Sequence, residues 1–305
     1  MKILIVGAGG IGGYYGSKLM LAGADITYLL REKRQALIQK QGLIVQTPRG
    51  SFTVHPNTVT ANELTPIYDL IILAPKAFDL EDALQSIEKA STKGLILPFL
   101  NGLAHIEQLD QRFGKERVLG GIAHIAATIT EAGAVQQLTD LHMLTVGARV
   151  PSQEGIAQEF YALCQKTDFD AVYSNCIEQA LWDKWTFLST LAGMTTLCNG
   201  SIGEINATPY GGALTRAMYS ECCEIASAHG FAISLGAQTK AIEMLTAVGS
   251  PMTASMLRDL NAGNKTEHDH ILQEMIRKAE ARQLPCHLIK MAYTHIELIQ
   301  RRQGA

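Results

Sequence analysis

The apolar run Lys2-Ile3-Leu4-Ile5-Val6 ends in Gly7-Ala8-Gly9-Gly10-Ile11-Gly12, and a helical stretch follows to Leu21. Glycines spaced this way between a strand and a helix suit a dinucleotide pyrophosphate. Gly7 permits the tight turn, Gly9 lets phosphates approach the backbone, and Gly12 lets helix and strand pack closely. The helix N-terminus offers unpaired N–H groups and a partial positive charge to the anion. A second strand, 25–30, ends in Arg31. An acid near this point binds the ribose 2′-hydroxyl of NAD, whereas an arginine takes the 2′-phosphate of NADP. Arg31, with Lys33 and Arg34 behind it, points to NADP. Glu32 is the competing ribose ligand, and a solvated helix start is the plain alternative.

At 305 residues the chain has room for two ordinary domains. An apolar share of 47% with 18% charged residues suits a soluble protein with a substantial core. A net charge of -3 gives no bulk attraction to nucleic acid or an anionic membrane. The N-terminal apolar stretch is too short for a signal peptide core or a membrane span, and 94–100 reads as a buried strand. Six cysteines without a C-x-x-C pair suggest reduced thiols in a cytoplasmic protein. The nine histidines lack zinc spacing, and His268 and His270 diverge on a helix, so no metal is expected.

The first half alternates strands and helices. Helices are expected at 32–41, 78–90 and 103–112, and strands at 43–46, 51–54, 68–74 and 94–99, with a strand piece at 118–121. Segments 134–139 and 141–147 read as a hairpin. The sum is a doubly wound, Rossmann-type α/β domain with antiparallel strands added at one edge. After a helix at 152–167 and a strand near 170–173 the chain is helical throughout: 176–198, 209–229, 234–248, 252–260, 264–283 and 285–301. The division expected is a nucleotide-binding domain over 1–174 and an all-helical substrate domain over 175–305.

A nucleotide-binding sheet followed by a helical domain places a substrate in the cleft between them, so site residues should follow strands or face the cleft. Lys76 and Asn101 each follow an apolar strand; a loop lysine and a turn asparagine before Gly102 are the plain alternatives. In Leu181-Trp182-Asp183-Lys184-Trp185, Lys184 shares a helix side with Leu188, Ala192 and Thr195. A lysine desolvated there has a lowered pKa and suits proton donation; a lysine covering tryptophan rings is the other reading. Thr253, Ser255 and Glu267 lie in polar patches that capping alone could explain.

End to end, the chain resembles the ketopantoate reductase (2-dehydropantoate 2-reductase) family. The resemblance rests on the glycine turn; Lys76-Ala77; Asn101-Gly102; Leu181-Trp182-Asp183-Lys184; and Ser255-Met256-Leu257-Arg258-Asp259 followed by Thr266-Glu267. It implies NADPH-dependent reduction of 2-dehydropantoate to (R)-pantoate, a step toward pantothenate. By that resemblance Lys184 would be the proton donor, and Glu267 would contact the cofactor near the nicotinamide ribose. Asn101 would sit where cofactor and substrate meet, and Ser255 would help hold the substrate. Lys76 would lie beside the nicotinamide, and Ala126 would touch the cofactor through its backbone.

The chain departs from the family at three positions. Asparagines usual one and two turns after the lysine are replaced by Leu188 and Ala192, and one before the Gly-Glu pair by Ile202. Losing three amides suggests a more apolar pocket, or substrate held by Ser189, Thr195 or Thr196. Two alternatives stay open: reduction of another small 2-oxo acid, and a non-catalytic NADP-binding sensor. The oligomeric state is left open, a homodimer included.

Overall fold

The computed structural model describes residues 1–88 and 91–304; the last two residues of the helix expected at 78–90 lie outside them. Contacts divide the chain into two compact units. One holds Met1–Leu100 and His105–Ile177; the other holds Asn101–Ala104 and the chain from Glu178 on.

The first unit contains β1 (Lys2–Val6), α1 (Gly10–Leu21), β2 (Asp25–Leu29), α2 (Glu32–Gln41), β3 (Leu43–Thr47), β4 (Gly50–Val54) and β5 (Asn57–Val59). The chain continues through β6 (Leu70–Leu73), α3 (Leu80–Ile87), β7 (Leu95–Pro98), α4 (Ala104–Phe113), β8 (Gly120–Ile129), β9 (Val135–Gly147), α5 (Glu154–Cys164) and β10 (Asp170–Tyr173). Five parallel strands run in the order β5-β2-β1-β6-β7. Ile3, Leu4, Leu70, Ile71 and Leu73 are fully buried. Burial on both faces is why these strands are near-continuous apolar runs. With β1 central, the chain winds outward first through β2 and β5, then through β6 and β7. Such a sheet binds ligands beyond the carboxyl ends of its strands where the winding reverses.

The antiparallel strands do not extend that sheet, as the sequence suggested. They form a second one, ordered β10-β9-β3-β4, with β8 paired to β9. Nor do 134–139 and 141–147 form a hairpin; they are one strand, β9, antiparallel to β8. The hairpin turn lies earlier, where Gly133 takes φ +84° and Thr130 N donates to Ala134 O at 2.9 Å. The residues around 140 carry no turn chemistry of that kind. They do mark a break: the ladder passes from Ile125↔His142 to Ala127↔Gln137, so Ala126 alone stands opposite residues 138–141.

The second unit is built from α6 (Ile177–Cys198), α7 (Ile202–Asn206), α8 (Gly211–Ala228), α9 (Leu235–Leu245), α10 (Ser255–Asn261), α11 (Glu274–Ala281) and α12 (His287–Gly304). The long helix expected at 264–283 is instead a π-helical turn over 269–273 leading into α11. α7 was not foreseen. It is five residues long, too short for periodicity, and is opened by Ser201, whose hydroxyl accepts from Glu204 N. Trp185, Met218, Leu245, Leu272 and Ile289 are among the buried side chains of the core. Among the described residues, no helix is long and apolar enough to cross a membrane, and no group of three or more His, Cys, Asp or Glu could hold a metal.

Candidate active site

In the first unit the glycine turn has the geometry an anion needs. Gly7 sits at φ +92°, in the left-handed region that favours glycine. A methyl group on Gly9 would meet nothing within 4 Å, so the space beside it is open to a ligand. A methyl on Gly12 would come within 2.3 Å of the Gly7 carbonyl, so helix and turn meet there without room for a side chain. Gly9 caps α1 with no side-chain bond, and no acidic residue stands in its first turn. The first N–H groups, including those of Gly10 and Ile11, precede the onset of intrahelical bonding at Gly13 N→Gly9 O, 2.8 Å. Ala8 is buried. Open space, unpaired donors and no competing carboxylate fit a pyrophosphate.

Two cations stand past carboxyl ends of this sheet. Arg31 lies just beyond β2, 73% exposed, with Nη2 2.9 Å from Asp79 Oδ1 and 3.3 Å from Asp82 Oδ2. Lys76 follows β6, exposed, and opens a short 3-10 turn at 77–79. Ala126 stands at the ladder break in β8, and the next residue, Ala127, presents its carbonyl to Gly10, 2.9 Å from where a Cβ would be. Arg34 does not extend the basic patch the sequence suggested. It is half-buried, donating from Nη2 to Ala8 O at 3.0 Å and from Nη1 to Gly133 O at 2.6 Å. It ties the glycine turn to the β8–β9 turn, a role no local sequence signal carries.

In the second unit three predicted residues come together. Lys184, on α6, donates from Nζ to Asn101 Oδ1 at 3.2 Å. Burial pulls the Lys184 ammonium down to about 8, and the Glu267 carboxylate partly opposes that fall. Glu267 is itself only 8% exposed. Asn101 is held by the residue after it: Gly102 takes φ +78°, and a methyl there would come within 2.6 Å of the His270 carbonyl. The π-turn also accepts from α6, through Trp185 Nε1→Ile271 O at 3.1 Å. A π-turn is a recurrent feature of functional sites, and here it borders Lys184, Asn101 and Glu267. His270 was not singled out from sequence as a site residue. Its burial lowers the imidazole pKa, opposed by Glu267 and Glu274.

Ser255 is the first residue of α10 and follows Ala254, whose N–H donates to Thr195 Oγ1 at 3.4 Å. Two of the three hydroxyls offered as replacements for lost amides are otherwise used. Thr195 Oγ1 donates to Leu191 O at 2.7 Å, and Thr196 Oγ1 donates to the Ala192 and Gly193 carbonyls. Ser189 is fully buried, and its hydroxyl has no hydrogen-bond partner.

A half-buried lysine with a near-neutral ammonium, an amide acceptor and a nearby carboxylate is equipped to hold and release a proton. Two family descriptions match the chain: "Ketopantoate reductase PanE/ApbA" over residues 3–150, and its C-terminal counterpart over 176–300. The chain belongs to the ketopantoate reductase family. Members of this family are NAD(P)-dependent oxidoreductases acting on a 2-oxo acid/hydroxy acid pair, and this chain is such an enzyme. It is 30% identical over 98% of its length, and 99% of the relative's, to the uncharacterized oxidoreductase YkpB of Bacillus subtilis. It is 26% identical to a 2-dehydropantoate 2-reductase of Pyrococcus horikoshii, over 92% of this chain and 91% of that one. The solved 2-dehydropantoate 2-reductase of Geobacter metallireducens superposes with a TM-score of 0.87 at 27% identity, over 98% and 99% of the two chains. D-mandelate dehydrogenase, solved with NADH and anilino(oxo)acetate, shares the fold at 20% identity, TM-score 0.88, over the whole of both chains.

Against the ketopantoate reductase pattern, the three substituted positions divide. Ala192 and Ile202 are fully buried in the core of the helical unit, and Leu188 is partly buried against it.

Proposed function

We propose that this ketopantoate reductase family member reduces 2-dehydropantoate to (R)-pantoate with NADPH, Lys184 being the proton donor. The observation that carries the reading is the Lys184 ammonium, brought to about 8 and one hydrogen bond from Asn101. NADPH, held by the glycine turn, would supply hydride chemistry. Lys184 holds a proton at Nζ and gives it to the carbonyl oxygen as negative charge develops there. Asn101 orients that ammonium, and Glu267 favours its charged form and would help hold the cofactor. Ser255 helps hold the substrate. Gly7 to Gly12 would hold the pyrophosphate through backbone N–H groups, and Arg31 would hold the 2′-phosphate. Lys76 and the Ala126 backbone would help hold the cofactor. The free thiols of all six cysteines support a cytoplasmic location, and the proposed product would serve pantothenate synthesis.

A second reading is the same reaction on another 2-oxo acid with an apolar side chain. Leu188 and Ala192, apolar on the Lys184 side of α6, favour it, as do the Thr195 and Thr196 hydroxyls spent on helix carbonyls. Steady-state assays over a panel of 2-oxo acids with NADPH decide between the two. Turnover of unrelated 2-oxo acids with none of 2-dehydropantoate would reject the first substrate. Lys184→Ala with undiminished turnover would reject the donor.

A further inference from the structure

Glu267 lies between two residues that α12 holds in place. On one side, Thr266 N donates to Gln300 Oε1 at 3.0 Å. On the other, His268 Nε2 stands 3.1 Å from Glu297 Oε2. The two flanking side chains also join each other, Thr266 Oγ1 to His268 Nδ1 at 2.8 Å. Glu297 is itself steadied by Arg301, whose Nε donates to Glu297 Oε1 at 2.7 Å. The His268 ring tilts against Tyr293, centroids 5.2 Å apart, and the Tyr293 hydroxyl donates to Asp269 Oδ1 at 2.9 Å. Thr266 and His268 are 3% and 5% exposed, so the bond between them forms away from water.

Proton placement in this chain follows from donor chemistry. Arg301, then His268, holds the Glu297 carboxyl below its usual range, so it is ionised and can only accept. His268 Nε2 therefore carries a proton, and in the neutral ring Nδ1 accepts from the Thr266 hydroxyl. The charged and titratable groups facing His268 are Asp269 on its own segment, with Oδ1 3.7 Å from Nε2, and Glu297, Tyr293 and Arg301 from α12. Immediately beyond, the π-turn begins, and Ile271 N donates back to Glu267 O at 3.0 Å. Both peptide neighbours of Glu267 and its own carbonyl are thus fixed.

We infer that His268 is a positioning residue: with Thr266 and Glu297 it braces the backbone on both sides of Glu267 and so fixes that carboxylate relative to Lys184. The inference rests on the reading of Lys184 as proton donor for its consequence in turnover, but not for its geometry. A loosened Glu267 supports the Lys184 ammonium less well, so the ammonium gives up its proton at lower pH.

The test is an NMR titration of the Lys184 side chain in the isotope-labelled full-length protein, beside pH profiles of kcat/KM and melting temperatures. The variants are His268→Ala, His268→Gln, Thr266→Val, Glu297→Gln and, as reference, Glu267→Gln. Glu267→Gln moves the Lys184 titration to lower pH by the largest amount. His268→Ala moves it the same way by part of that shift, and the alkaline limb of kcat/KM follows. Its turnover falls roughly tenfold to a hundredfold, as small misplacements in an active site do. His268→Gln, which keeps a hydrogen-bonding group, recovers part of both. A lower melting temperature with an unmoved Lys184 titration in His268→Ala would reduce His268 to a packing role and overturn the inference. Should His268→Ala fail to fold, Thr266→Val and Glu297→Gln decide by the same readout. The titration needs no turnover, so an inactive Lys184 would defeat the proton-donor reading while leaving this inference to stand or fall separately.

Discussion

Lys184 Nζ and Asn101 Oδ1 stand 3.2 Å apart, though 83 positions separate them in the chain. Asn101 follows a sheet strand in sequence, yet it packs with the helical unit. The amide reaches the lysine because Gly102 accepts a left-handed φ and passes close under the His270 carbonyl. The absence of a side chain at 102 is therefore a condition of the contact.

Lys184→Ala removes the proposed donor and leaves the glycine turn untouched. Turnover should fall by about a hundredfold to ten-thousandfold, the usual worth of a positioned acid. NADPH affinity, read by fluorescence titration, should change little. A parallel collapse of affinity would mean that Lys184 serves binding and not proton transfer.

The pH dependence has two signs. A donor titrating at about 8 must hold its proton to work, so kcat/KM should decline as pH rises through that value. Stability should move the other way. The unfolded lysine titrates near ~10.4, so between about 8 and that point the unfolded chain binds more protons, and stability rises with pH. Denaturant melts across pH 7.5 to 10.5 (roughly the window between the two titrations) should show this slope, and Lys184→Met should flatten it.

Two glycine substitutions in the turn should behave differently. Gly9→Ala places a methyl in open space, so the melting temperature should hold while NADPH affinity drops by roughly tenfold or more, about 1.4 kcal/mol per factor of ten. Gly12→Ala drives a methyl into the Gly7 carbonyl and should cost about 1–3 kcal/mol of stability by overpacking. Thermal melts beside cofactor titrations separate the two effects.

Arg31→Ala tests cofactor choice. Its contacts to Asp79 and Asp82 are exposed, and such pairs contribute about 0–1 kcal/mol, so the fold should barely register the loss. The kcat/KM ratio of NADPH over NADH should fall by roughly tenfold or more, one charge-assisted contact being worth about 1.5–3 kcal/mol. An unchanged ratio would show that the 2′-phosphate is read elsewhere.

Much of the candidate site could be proposed from sequence because its signals are local. The glycine turn, the strand ends at Arg31 and Lys76, and the lysine between two tryptophans each occupy a few consecutive residues. What escaped was set by distant partners. The second sheet depends on Val45 pairing with Val135, which no short window reveals. β5, three residues long, joins the parallel sheet only through its pairing with β2. Arg34 reads as one more basic residue until its guanidinium is seen on the Ala8 carbonyl. His268 and His270 were dismissed as metal ligands on spacing, but spacing could not show that α12 holds one and Gly102 passes beneath the other.

The excursion of residues 101–104 into the helical unit, with the chain returning at His105, has a bearing on how the protein can be dissected. No single scission yields two intact halves. A fragment starting at Glu178 carries the lysine but leaves its amide acceptor behind, whereas a fragment ending at Ile177 retains four residues whose native neighbours are gone. Autonomous expression of either piece should therefore give a damaged product, and co-expression of both is the way to recover the whole.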